Sequence, residues 1–177
     1  MRTLCLVVVT AALLPGAALA QSSSSPVSDA LRHEAERSQK NLVAAAESMP
    51  ADKFGFKPTP AQMSFGEMVL HVAGANDYMC STISGTKPPA EPKLQPTASK
   101  ETLVARAKRS FEFCNTALAK LTDEGLSETV PFFGGRTISR AGAVLDLVAD
   151  WADHYGASAI YLRLNGILPP TAKKGSE

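Results

Sequence analysis

The chain has 177 residues, 45% hydrophobic and 20% charged, with 18 Lys+Arg against 17 Asp+Glu for a formal charge of +1. That length and composition suit one globular domain, and aromatics at only 6% favour an aliphatic core over an all-β sandwich. A near-neutral balance with no basic stripe excludes nucleic-acid binding through bulk electrostatics.

In chain order, residues 1–20 read as a signal peptide. Arg2 supplies a positive start, Leu4 to Leu14 an apolar run too short to cross a bilayer, and Ala18-Leu19-Ala20 the small-residue cleavage pattern. Cleavage before Gln21 implies a periplasmic or secreted product with no stable membrane anchor. Residues 21–25 are a flexible leader, with Ser22 to Ser25 polar and of low complexity.

Four helical patterns follow. The first runs from Pro26 to Ser48, with Pro26 suited to a first helical position and Leu31, Ala35, Leu42, Ala45 and Met49 as a loose apolar stripe. The second opens on Ser64-Phe65-Gly66-Glu67, an S-x-x-E capping box with Met63 and Met68 placed to staple across it. Its stripe is Phe65, Met68, Val69, Val72, Asn76, Met79 and Ile83, interrupted in polarity only by Asn76, and Gly85 stops it. The third starts near Ser99 and keeps Leu103, Val104, Ala107, Phe111, Cys114, Leu118 and Leu121 on one side, ending by Gly125. The fourth is expected from about Thr137 to Asn165, roughly 40 Å at 1.5 Å per residue.

No alternating strand pattern of useful length is present. The apolar loop Pro131 to Arg136 is expected to cover one end of the molecule or the mouth of a site. Four helices of this length in residues 26–170 define an all-α four-helix bundle, with a C-terminal tail over residues 171–177. The stretch from Gly85 to Ser99, carrying Pro88, Pro89, Pro92 and Pro96, has the length of a crossover along the bundle. The second and third helices therefore need not be antiparallel neighbours.

Three histidines are present: His33, His71 and His154. Asp150 and His154 are spaced i, i+4 and project from one side of the fourth helix, with Asp146 a turn earlier. A carboxylate and an imidazole at that spacing grip a divalent metal if a third ligand comes from another helix, and His71 is the evident third. Against this, Asp146, Asp150, Asp153 and His154 lie nearly opposite the stripe of Val144, Val148, Trp151, Tyr155 and Leu162. On periodicity alone they form a solvated face. His33, beside Glu34, reads as an exposed side chain.

Signal cleavage also removes Cys5 and leaves Cys80 and Cys114 as a pair. In an oxidising compartment they are a candidate disulfide tying the second helix to the third. The alternative, a pair of reactive thiols, fits poorly with Cys114 on an apolar stripe.

Two stretches carry a family resemblance. Phe56-Lys57-Pro58-Thr59-Pro60-Ala61-Gln62-Met63-Ser64-Phe65, followed by His71, is similar to the start of the second helix of the DinB/YfiT-like proteins. Asp153-His154-Tyr155-Gly156-Ala157-Ser158-Ala159-Ile160-Tyr161-Leu162, continuing to Pro169-Pro170, resembles their fourth helix and its exit. The resemblance implies an up-down-down-up bundle with the Pro-rich stretch as its crossover. It also implies a divalent metal (zinc, nickel, iron or manganese) held by three histidines, one on the second helix and an H-x-x-x-H pair on the fourth. His71 matches the first ligand and His154 the last, but the middle position is Asp150, and Ala157 stands where a Gln often follows.

Two imidazoles and one carboxylate are a competent ligand set with open positions, and Asp146, Asp153 and Tyr155 are the expected supporting partners. Two functions stay open. One is an exported metal-dependent hydrolase or transferase acting on an unidentified small molecule. The other is a non-catalytic exported bundle with an eroded metal site, acting by binding or structure. Homodimers are frequent among such proteins, so a second copy is an expected partner and nucleic acid is not.

Overall fold

In the computed structural model, which describes residues 24–173, four helices carry the fold: α1 Pro26–Ser48, α2 Phe65–Ser84, α3 Lys100–Leu118 and α4 Arg140–Leu164. The signal-peptide reading of residues 1–20, most of the leader and the end of the tail lie outside the described residues.

Each helix begins where the sequence supplies a start signal. Pro26 opens α1. At α2 the capping box forms: Ser64 Oγ accepts from the Glu67 amide at 3.2 Å, and the Glu67 carboxylate accepts from the Ser64 amide at 2.6 Å. Met63 is exposed while Met68 is buried, and the Met63 carbonyl accepts from the Tyr161 hydroxyl at 2.7 Å. Ser99 and Ser139 cap α3 and α4 through the amides of Thr102 and Gly142. Gly85 ends α2 at a φ of 71°, a left-handed cap that glycine adopts without strain.

One end of the core joins Ala46 and Met49 from the close of α1, Phe65 and Met68 from the start of α2, Leu103 from the start of α3, and Leu162 from the close of α4. The C-terminal ends of α1 and α4 thus meet the N-terminal ends of α2 and α3, which is the up-down-down-up arrangement. Both α1 and α2 pack against α3 and α4, so α1/α2 and α3/α4 are the diagonals.

α2 and α3 are parallel neighbours. The same offset of 34 residues relates Asn76 to Ser110, which hydrogen-bond, and Cys80 to Cys114, which form a fully buried disulfide. Parallel neighbours require a connection that runs back along the bundle. α2 is about 30 Å long, and the stretch from Gly85 to Ser99 covers that when extended at about 3.3 Å per residue. Glu91 anchors this crossover by accepting from Arg109 Nε and a second guanidinium nitrogen, both at 2.9 Å. The crossover passes close to Gly66, where a Cβ would lie 2.6 Å from the Pro96 carbonyl oxygen.

The expected polar interruption, Asn76, is fully buried. Its amide donates to Ser110 Oγ at 3.0 Å, its oxygen accepts from Trp151 Nε1 at 2.7 Å, and Ser110 donates onward to the Ala107 carbonyl at 2.8 Å. One satisfied junction therefore ties α2, α3 and α4 together.

The α3–α4 connection departs from expectation. β1 Thr129–Pro131 pairs antiparallel with β2 Thr137–Ser139, setting Val130 opposite Ile138. Strands of three residues are too short to display alternation in sequence. Their formation takes Thr137 to Ser139 from the fourth helix, which begins at Arg140 instead. β1 packs on both α2 and α4. The hairpin tip turns through Gly134 and Gly135 at φ of 69° and 72°, where a side chain would be strained.

Candidate metal centre

α2 and α4 are antiparallel neighbours, and their seam brings His71, Asp150 and His154 together, one ligand atom from each lying within 4.8 Å of the others. A metal about 2.1 Å from each donor separates donors by up to about 4.2 Å, so the three stand near the span one ion bridges. The two imidazole rings lie 4.8 Å apart between centroids, tilted by 31°.

Exposure is graded across the set. His71 is exposed, Asp150 half-buried and His154 buried at 8%. The solvated-face reading of α4 therefore fails for Asp150 and His154, which press against α2, and holds only for Asp146 and Asp153, which are exposed. Periodicity misleads here because α4 is apolar on its outer side as well, with Leu145 70% and Ile160 56% exposed. His33 is exposed, as its position beside Glu34 suggests.

His154 is oriented by its own helix. Its Nδ1 lies 2.7 Å from the Asp150 backbone carbonyl, which can only accept, so Nδ1 donates there and Nε2 is the ring nitrogen left to ligate. Ligating imidazoles are commonly fixed this way, through the ring nitrogen turned from the metal. Sequence reading misses this partner, since a backbone carbonyl four residues back is present at every helical position.

Asp150 has the opposite character. Its Oδ1 is 3.4 Å from His154 Nδ1, while Oδ2 is buried and accepts no hydrogen bond among the described residues. Burial pushes the Asp150 carboxyl above its ordinary range; His154 and His71 pull it down, and the Asp153 charge adds to the rise. A bare buried carboxylate oxygen costs on the order of 1–3 kcal/mol, and a cation against it removes that cost. An unpartnered carboxylate oxygen beside two imidazoles is therefore a donor set that fits a divalent ion.

The supporting partners are fewer than expected. Asp153 acts through its charge, and Asp146 is exposed one turn from Asp150. Tyr155 is not at the site: its hydroxyl pairs with Thr171, 2.8 Å from Oγ1 and 3.0 Å from the amide it accepts from. One residue beyond His154 on a helix of 3.6 residues per turn, it points about 100° away. Tyr78, a residue the sequence reading passes over, lies on the face of α2 that carries His71, seven residues further on, and packs on Phe132 and Phe133.

Fold and site together define a four-helix bundle with a candidate divalent-metal centre between its second and fourth helices. The sequence matches the DinB superfamily over residues 34–157, and the chain belongs to that family. A DinB-like protein from Bacillus subtilis superposes with a TM-score of 0.63 at 22% identity, covering 77% of this chain and 92% of the other. One from Bacillus cereus ATCC 10987 superposes at 0.64 with 20% identity, covering 81% and 93%. A mutant mycothiol-dependent maleylpyruvate isomerase superposes at 0.60 with 13% identity, covering 73% and 59%. Likeness at these identities shows the fold alone. No curated protein matches the chain in sequence.

Proposed function

We propose that this chain is an exported metalloprotein that holds one divalent ion through His71, Asp150 and His154 and uses it in a hydrolase or transferase reaction on a small molecule. The observation that carries the reading is the bare, buried Asp150 Oδ2 beside a His154 ring whose Nδ1 is already held. A carboxylate oxygen kept from water without a partner belongs where a cation completes it. α4 holds Asp150 and His154 in place, while exposed His71 closes the set from the solvent side and leaves that side open to a ligand.

A bound divalent ion supplies Lewis acidity, polarising a carbonyl or phosphoryl oxygen or acidifying a coordinated water or thiol. The carboxylate at the middle position favours harder ions than a sulfur-rich site would choose, which leaves zinc, nickel, iron and manganese. Export is supported by the Cys80–Cys114 disulfide, which suits an oxidising compartment. Among the described residues no helix is long and apolar enough to cross a membrane.

The test is elemental analysis of the chain from Gln21 onward, purified without chelator or affinity tag, beside His154→Ala. About one equivalent of metal in the wild type, lost in the variant, is expected. No metal in either protein, even after reconstitution, overturns the reading and leaves a bundle that acts by binding or structure.

A further inference from the structure

The α2–α4 seam does not end at the metal ligands. Tyr78 follows His71 by two helical turns, so it stands on the same face of α2, about 10 Å further along the axis. Between them lie Gly74, which is exposed with nothing within 4 Å of where a Cβ would sit, and half-buried Ala75. This part of α2 presents only small side chains, with the imidazoles at one end and the aromatic rings at the other.

Those rings are assembled by the hairpin. β1 lies across both α2 and α4, the helices that carry the ligands. Phe133 at its tip stacks on Tyr78, with centroids 4.2 Å apart and planes 30° from parallel. Phe132 is buried beneath, edge-on to Phe133 at 4.9 Å. Arg136 sits 5.7 Å over the Phe132 ring and donates through Nε to the Phe133 carbonyl at 3.2 Å, while the Phe132 amide donates to the Arg136 carbonyl at 2.7 Å. The tip is thus internally braced, yet Phe133 is 46% exposed and Tyr78 36%, and these two are the exposed aromatics of the described residues. Aromatic surface held rigidly in water beside a ligand set is the composition of a small-molecule site.

α2 contains no Lys or Arg, α4 has none between Arg140 and Arg163, and Asp146 and Asp150 present carboxylates along the seam. The cation beside the rings is Arg136 of the hairpin, already placed over Phe132.

We infer that the substrate is a small molecule with a metal-binding polar head and an aromatic or similarly flat apolar tail, seated on a shelf made by Tyr78 and Phe133. The inference rests on the metal reading above, and the test separates the two. Zinc-loaded protein is titrated calorimetrically with butanohydroxamate and with 4-phenylbutanohydroxamate, which share the chelating head and chain and differ in the ring. The aryl compound should bind about tenfold more tightly, the worth of a good aromatic contact. In Phe133→Ala that ratio should fall to near one with zinc content retained. Gly74→Leu, an exposed position with open space, should abolish the ratio as well by placing a bulky side chain between the ligands and the rings. Equal affinities in the wild type, or a ratio that survives both substitutions, overturn the shelf while bound zinc leaves the metal centre standing. A wild type that takes up no zinc overturns both.

Discussion

Replacing Asn76 with leucine, which nearly conserves volume, removes the junction between α2, α3 and α4 and tests whether it also sets the metal centre. The substitution strands the Trp151 indole N–H and takes from Ser110 the donor it receives. A stranded buried donor costs about 1–3 kcal/mol and the second lost hydrogen bond about 0.5–1.5 kcal/mol, part of which the leucine's apolar burial offsets. The expected net loss is about 2 kcal/mol by urea unfolding, or roughly 4–8 °C in Tm for a domain of this size.

Trp151→Phe strands the Asn76 oxygen at a similar cost. The double variant Asn76→Leu/Trp151→Phe leaves neither group unpaired, so its loss should fall short of the summed single losses by about 1 kcal/mol or more. Trp151 adjoins Asp150, and the bond it makes to α2 fixes how the two ligand-bearing helices lie, so zinc affinity in Asn76→Leu should weaken about tenfold. Strictly additive single losses, or a loss below about 0.5 kcal/mol for Asn76→Leu, would refute the energetic argument. An unchanged zinc affinity would refute the positional one.

Other perturbations test separate parts of the fold. Reducing the Cys80–Cys114 bridge, whose sequence separation is 34, should cost about 4 kcal/mol on the chain-entropy argument, read as the difference between oxidised and reduced protein in urea. Reduced protein that stays folded should keep its metal, because Cys80 lies two and a half turns past His71, on the opposite side of α2. The Glu67 carboxyl is held at about 2, down from 4.5, chiefly by the Ser64 amide, with the Ser64 hydroxyl and Lys57 adding to it. Its folded pKa is depressed, so the advantage of wild type over Glu67→Gln should be full above about pH 4.5 and disappear as pH falls toward 2. Thermal midpoints across that window check it, and a pH-independent difference counts against the ionised capping box. Gly66→Ala should destabilise by about 1–3 kcal/mol despite better helix propensity, because its Cβ meets the Pro96 carbonyl oxygen at 2.6 Å. A neutral result would mean that the crossover yields.

The helices were legible because their signals are local. Pro26, the Ser64/Glu67 box, Ser99 and Gly85 each act within one turn, and the core positions of α1 and α2 repeat at helical spacing over many residues. The hairpin was not legible, since three-residue strands leave no pattern and the tip depends on two glycines at positive φ. The partners of Asn76 were equally hidden. A polar residue on an apolar stripe announces that a partner exists, but Ser110 and Trp151 lie 34 and 75 residues away.

At the site, i, i+4 spacing places Asp150 and His154 on one side of α4 and says nothing of which side faces inward. Amphipathic reading assigns polar residues to water, and a ligand set reverses that logic because its partner is a cation. α4 bears the mark of this reversal, with Leu145, Ile160 and Leu164 exposed and His154 buried. Spacing also cannot distinguish a working site from an eroded one, whereas packing bears on the difference. A bare buried carboxylate oxygen carries a cost that an apolar residue or a hydrogen-bonded rotamer would relieve. Asp150 keeps its Oδ2 buried and bare beside two imidazoles, an arrangement that a divalent cation would make favourable.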